Sequence, residues 1–139
     1  MSETHIIIPD PHAHYQHHNK RALWAGALIA DVQPDVVVMM GDLHDMPRLS
    51  GYDRGKKCFQ GSTYRADIET GLDFNEKLWH HPRKRKRKLP RRVALRGNHE
   101  QRIERAIQIS PELDGAIGYN DLQWERWYDT IVEDRKSVV

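Results

Sequence analysis

Three times in this chain a short apolar run stops abruptly at a cluster of carboxylate, imidazole and amide side chains. His5-Ile6-Ile7-Ile8-Pro9 leads into Asp10-Pro11-His12-Ala13-His14, Val36-Val37-Val38-Met39-Met40 into Gly41-Asp42-Leu43-His44-Asp45, and Arg92-Val93-Ala94-Leu95-Arg96 into Gly97-Asn98-His99-Glu100. Runs this short, rich in β-branched residues and lacking polar alternation, suit strands buried on both faces, as in parallel sheets. Between the first two, Leu23, Trp24, Ala27, Leu28 and Val32 recur near helical spacing and Gln33-Pro34 closes the segment. A helix is therefore expected from Asn19 to Val32, with that stripe in the core. Strand, helix, strand implies a parallel pair joined by a right-handed crossover. Further helices are expected from Ala66 to Trp79, despite Gly71, and from Glu100 to Ile109, burying Ile103, Ala106 and Ile107. Pro47 to Tyr64 reads as an irregular loop, while Trp124, Trp127, Tyr128 and Ile131 in the tail need a core to join. The expected fold class is α/β, a parallel or mixed sheet flanked by helices in a single domain spanning 1–139.

In an open sheet of this kind the carboxyl ends of parallel strands lie side by side, so the three polar clusters would converge. Carboxylate, imidazole and amide oxygen make a mixed donor set suited to Mn, Fe, Zn or Ni, and the absence of thiolates speaks against a structural zinc site. No Ser follows a strand and the lone Cys58 falls in the irregular loop, so a nucleophile paired with His has no candidate. Nor does a G-x-x-x-x-G-K-[ST] run offer to cradle a nucleotide. Desolvating Asp10 and Asp42 together would be prohibitive unless cations neutralised them.

Taken in order, Asp10-Pro11-His12, Gly41-Asp42-Leu43-His44-Asp45 and Gly97-Asn98-His99-Glu100 resemble the D-x-H, G-D-x-x-D and G-N-H-[DE] pattern of the calcineurin-like metallophosphoesterases, most of all the small phage and bacterial members. The resemblance implies a layered metallophosphoesterase-like fold in which Asp10 and His12 hold one divalent metal, Asp42 bridges to a second, and Asn98 ligates the second. It places His99 near the leaving oxygen as general acid or transition-state charge, oriented by Asp45. Manganese is the first expectation, with Fe, Zn or Ni as alternatives, and the implied reaction is hydrolysis of phosphomonoesters or phosphodiesters by water activated between two ions. Met46 stands where many members carry an Arg, leaving Arg48, Arg96 and Arg102 as candidates to contact phosphate. Gly41 and Gly97 would permit backbone turns that a Cβ hinders.

The resemblance covers the N-terminal half of that family. Its second half carries a further His and a G-H-x-H segment, whereas no histidine follows His99 here. An incomplete fold is therefore expected, its first metal firmly held and its second site weak or empty, unless a missing C-terminal half, a second copy, or His14, His17, His18 or His44 supplies ligands. Hydrophobic residues at 38 % fall below the roughly 45–50 % usual for globular chains, in line with a truncated domain. A bare sheet face would also favour homo-oligomers.

The net charge of +2 conceals a segregation, because RKRKRKLPRR from Arg83 to Arg92 holds eight basic residues and no acidic one. A solvated helix end or loop is the simplest role for charges that repel one another; His80-His81 reads as the end of the preceding helix. The alternative function is a catalytically incomplete, non-enzymatic module that holds nucleic acid or a host protein through Arg83, Lys84, Arg85, Lys86, Arg87 and Lys88. Lying just before the third strand, the same run could guide a polyanionic substrate toward the metals. The lone Cys58 allows no internal disulfide, no basic leader opens the chain, and no apolar run approaches the roughly 20 residues of a membrane span. The expected compartment is the cytoplasm of a bacterium or a phage-infected cell.

Overall fold

The computed structural model describes residues 2–49, 63–85 and 88–133. Four strands, β1 (His5–Ile8), β2 (Val36–Met39), β3 (Arg91–Leu95) and β4 (Thr130–Val132), form one parallel sheet in the order β1-β2-β3-β4. Three helices connect them: α1 (Lys20–Val32), α2 (Tyr64–Lys84) and α3 (Arg102–Ile109). Each new strand is added on the same side of the last, so right-handed connections carry all the helices to one face. On that face Val37, Met39 and Ala94 pack with Ile29, Phe74, Leu78, Trp79 and Trp127 into the core. The chain is thus α/β, and the expected parallel strands form where the apolar runs lie.

The other face is covered less. β2 is largely buried, as its unbroken apolar run requires, but β1 is an edge strand rather than a buried one, and its Ile7 is 59 % exposed.

Helix α1 also turns a different side to the core than its large apolar residues indicate. Ala22, Gly26, Ile29 and Ala30 are buried, whereas Trp24 is 69 % exposed and Leu28 and Val32 are exposed with it. The reason is the closeness of α2. A Cβ on Gly26 would stand 2.1 Å from the carbonyl oxygen of Leu78. Pro82, inside α2, has no N–H to give to that carbonyl four residues earlier, which frees the oxygen to face α1. Close approach of two helices selects small residues, and the bulky stripe is left to point away.

Helix α2 is longer than its sequence period suggests. The Thr63 hydroxyl caps its start by accepting the Ala66 N–H at 3.0 Å. At the far end it runs through His80 and His81, which do not end it, and stops only after Arg83 and Lys84, whose charges complement the helix dipole. In the tail, β4 pairs with β3 and was not foreseen; Trp124, Trp127 and Tyr128 are buried in the core. Pro47–Leu49 forms a single 3₁₀ turn, and positions 50–62 of the expected loop, Cys58 among them, lie outside the described residues. Among the described residues no helix is long and apolar enough to cross a membrane.

The packing of α1 on α2 yields a test. Gly26→Ala should cost about 2–3 kcal/mol of unfolding free energy, because the obstacle is backbone and cannot rotate away. Trp24→Ala on the opposite side should change stability by no more than about 0.5 kcal/mol. Urea unfolding of both variants checks this; equal effects would show that the helix faces are assigned wrongly.

Candidate metal centre

Past the ends of β1 and β2 the two chain segments pair again. His12 N–H donates to the Asp42 carbonyl at 2.8 Å, Ala13 N–H to the Leu43 carbonyl at 2.6 Å, and Asp45 N–H to the Ala13 carbonyl at 3.0 Å. To make this second pairing the backbone folds into the left-handed region at Asp10 (φ 38°), His12 (φ 50°), Asp42 (φ 52°) and Met46 (φ 53°). Left-handed backbone costs a non-glycine residue roughly 1–2 kcal/mol. Concentrating it in one place is characteristic of a working site rather than a loop. The outcome is that Asp10, His12 and Asp42 each offer a ligand atom, all within 4.8 Å of one another.

The third turn is fastened to the second by a buried carboxylate. Glu100 is fully buried; its Oε1 accepts the N–H of Asp42 at 2.8 Å and of Gly97 at 2.9 Å, and its Oε2 accepts the N–H of His44 at 3.0 Å. Burial pushes its carboxyl up to about 7, while these donors pull the other way. In return, His99 N–H donates to Asp42 Oδ1 at 2.8 Å and fixes the rotation of that carboxylate. The two turns approach so closely that a Cβ on Gly97 would fall 2.2 Å from Asp42 Oδ1. Gly97 therefore supplies space, whereas Gly41, at φ 102°, supplies the turn.

Asp45 gathers the imidazoles. Its Oδ1 lies 3.0 Å from His12 Nδ1 and 3.2 Å from His99 Nδ1, its backbone carbonyl 2.7 Å from the same His99 nitrogen, and its Oδ2 3.8 Å from His14 Nε2. Burial alone would raise the Asp45 carboxyl, but hydrogen bonds from His99 and His12 and the charges of His99 and His14 hold it at about 2. The hydrogen bond to Asp45 raises the pKa of His99 against the opposing effect of burial. The expected pairing of His99 with Asp45 is present, and the contact with His12 adds to it. His12, Asp45 and His99 themselves form a second group within 4.8 Å.

Asn98, exposed in the third turn, lines a cavity together with His99, Arg48 and Arg102. Arg102 donates to the Asp45 carbonyl at 2.9 Å. Arg96 points elsewhere, pairing with Glu133 at 2.9 Å over the ring of Tyr119. His44 is neither a ligand nor a surface group: it is fully buried, accepts the Trp124 indole N–H at 3.1 Å, and occupies the space that a Cβ on Gly71 would fill. Burial lowers its pKa to about 4, with the Asp67 carbonyl pulling upward. His14 is partly buried beside Asp45, and His17 and His18 are exposed.

The described part of the basic run, 83–85 and 88–92, lies at the amino end of β3, at the opposite end of the strands from the turns. There Arg83 donates to the Arg126 carbonyl and Arg85 pairs with Asp31, while Lys84 and Lys88 are exposed; Lys86 and Arg87 lie outside the described residues. Nothing in the spacing of the motifs pointed to the fastening role of Glu100 or to the nearness of Arg105 to His99.

The side chains suit a divalent ion. Two carboxylates and an imidazole converge, and Asp42 is buried without an ion pair among the described residues; Asp10, by contrast, is exposed, so the expected joint desolvation of the two does not hold. His12 gives its Nδ1 side to a carboxylate, the habit of a metal-ligating histidine, which leaves Nε2 as the donor. Comparison with protein-family models, with curated proteins and with solved structures finds no match for this chain.

Two measurements follow from this geometry. Glu100→Gln sets an amide N–H against a backbone N–H and should lower stability by about 2–3 kcal/mol. It should also weaken manganese binding at least about tenfold. Calorimetry showing neither change would remove Glu100 from the support of the site. For Asp45, the folded value near 2 against an ordinary 3.8 means that its stabilisation is present above about pH 4 and lost as pH falls toward 2. For His99, with a raised pKa, the contribution is present below 6.5 and lost as pH rises through its folded value. In chelator-treated protein Asp45→Asn should therefore cost about 1–2 kcal/mol at mildly acidic pH and almost nothing near pH 2. A melting-temperature difference independent of pH would contradict the assignment.

Proposed function

We propose that the chain is a metal-dependent phosphoesterase domain that hydrolyses phosphomonoesters or phosphodiesters. The observation that carries this reading is the convergence of Asp10, His12 and Asp42 within 4.8 Å, beside an imidazole held by Asp45. A parallel sheet with helices on one face is compatible with the first half of a layered metallophosphoesterase fold. Manganese is the proposed metal. Asp10, His12 and Asp42 would hold one ion, and Asp42 with Asn98 would hold a second, weaker one. Bound divalent ions supply Lewis acidity, lowering the pKa of water and neutralising charge on the phosphoryl oxygens.

The chain's own residues do the rest. The His99 backbone N–H holds Asp42 Oδ1 and fixes the rotation of the carboxylate, leaving Oδ2 as the oxygen that would serve a metal. His99 Nδ1 is committed to the Asp45 carbonyl, which leaves Nε2 as the nitrogen that gives a proton to the departing oxygen. The hydrogen bond to Asp45 raises its pKa against the opposing effect of burial and so favours the protonated ring. Arg102, tied to the same Asp45 carbonyl, sets its guanidinium beside the imidazole, where developing negative charge is stabilised.

Hydrolysis of p-nitrophenyl phosphate and of its bis ester with added manganese tests the proposal. Asp42→Ala should abolish both activities. His99→Gln should cost about 10²–10⁴-fold on an alkyl phosphate, whose leaving group needs a proton, and less on the p-nitrophenyl ester, which does not. If the unaltered chain hydrolyses neither ester and Asp42→Ala leaves manganese binding unchanged, the non-catalytic module remains in its place.

A further inference from the structure

Beside His99 lies a cavity of about 800 Å³ lined by Asn98 and His99 but not by Asp10, His12 or Asp42. Among the described residues its lining includes Arg48, Arg102 and Arg105 and no carboxylate. The described hydrogen bonds of Arg102 and Arg105 go to neutral backbone carbonyls: Arg102 Nη1 to Asp45 at 2.9 Å and Met46 at 3.4 Å, Arg105 Nη2 to Asn98 at 3.0 Å. Neither guanidinium is in an ion pair among the described residues. Five donors on each guanidinium exceed what these contacts use. Asp67 lies within electrostatic reach of Arg48 and Arg102, but Arg105 faces the concave surface with no ion pair among the described residues, and a low-dielectric wall concentrates its field. That wall is apolar, made by Leu49, Ala106, Leu113 and Ile109, the last 76 % exposed at the rim.

Helix α3 builds this surface. Arg102, Arg105, Ala106 and Ile109 recur at the spacing of a single helix face, so one side of α3 presents cations beside His99 and an apolar patch farther out. A second cavity of about 830 Å³ lies at the amino ends of the strands and is also lined by basic residues. It differs in kind, because Asp35 and Asp129 line it and Arg85 and Arg92 are paired with Asp31 and Asp129. Its positive charge is answered internally. Beside His99, Arg105 has no such answer among the described residues.

We infer that the cavity beside His99 receives the leaving group of the substrate, and that this leaving group is an apolar or aromatic body carrying its own negative charge. The inference rests on the phosphoesterase reading, since it is His99, as proton donor, that fixes which side of the phosphorus the cavity serves. It adds what that reading lacks, a substrate class: esters with a second anionic group a short distance beyond the scissile bond, on a ring or chain that packs against Ile109 and Leu113. A small neutral alcohol would leave Arg105 unanswered and the apolar wall wet.

A matched pair of ligands that cannot be hydrolysed tests this without relying on turnover: benzylphosphonate and 4-carboxybenzylphosphonate, titrated calorimetrically into manganese-loaded protein. The carboxylated ligand should bind at least about tenfold more tightly. Arg105→Ala, and separately Ile109→Glu at the exposed rim, should reduce that preference to about twofold or less while leaving benzylphosphonate affinity unchanged. Equal affinities in the unaltered protein, a preference that survives both variants, or no binding of either ligand would overturn the inference. Kinetics with phenyl phosphate and 4-carboxyphenyl phosphate separate the two readings. If the binding preference is intact but neither ester is hydrolysed, the catalytic reading fails and the anionic cavity stands; if both are hydrolysed with equal kcat/KM and equal response to Arg105→Ala, the cavity assignment fails and catalysis stands.

Discussion

Glu100 occupies a place from which water is excluded, and from there it accepts the backbone N–H groups of Asp42, His44 and Gly97. Each of those donors, if orphaned, would cost about 1–3 kcal/mol, so the carboxylate does not simply fill space between two turns but makes their contact favourable. Its position just before α3 helps, because the N-terminus of a helix favours negative charge. The geometry of the centre depends on this fastening. Once the second and third turns are joined, the His99 N–H reaches Asp42, the His99 ring reaches Asp45, and Asp45 reaches His12 in the first turn. Three segments far apart in sequence are thereby held at distances that none could keep alone.

Beneath the turns a second tie joins the site to the body of the domain. His44 sits between the second turn and α2, in the room left by Gly71, and takes a hydrogen bond from Trp124 in the tail. A neutral imidazole suits this place, since a charged one would be desolvated without compensation. Trp124 packs in turn edge-on against Tyr128, whose hydroxyl donates to Asn75 of α2 at 2.6 Å. The tail is therefore structurally connected to the centre, although it contributes no ligand to it. Strain stored at Asp10, His12, Asp42 and Met46 persists because these ties over-determine the backbone around them.

How much of this was legible in the sequence varied with the kind of signal. Apolar runs with no polar interruption gave β1, β2 and β3, because a strand at the centre of a sheet has no choice about its side chains on either face. β4 escaped, since three residues are too few to show a period. The buried side of α1 was misread because the helix is apolar on more than one side, and what decided the matter was the absence of a side chain at Gly26 against the Leu78 carbonyl. The same holds for Gly71, which weakens the helical pattern of α2 for a reason, the His44 ring, that lies 27 positions away. At the centre, the convergence of Asp10, His12 and Asp42 followed from strand order alone. The work of Glu100 did not, since its partners are backbone groups that every residue carries.

Charge was the property least well served by reading along the chain. The most conspicuous positive feature of the sequence, RKRKRKLPRR, is placed at the amino ends of the strands, where Asp31 and Asp129 answer two of its arginines. Three arginines with nothing notable around them, Arg48, Arg102 and Arg105, instead meet at the cavity beside His99. What makes a positive site effective is the lack of a nearby carboxylate and the presence of a concave, apolar backing, and both are properties of the folded surface. In the described part of the basic run, the pairs Arg85–Asp31 and Arg92–Asp129 blunt the local positive field. Arg105, held on its helix face by the Asn98 carbonyl and in no ion pair among the described residues, keeps its own.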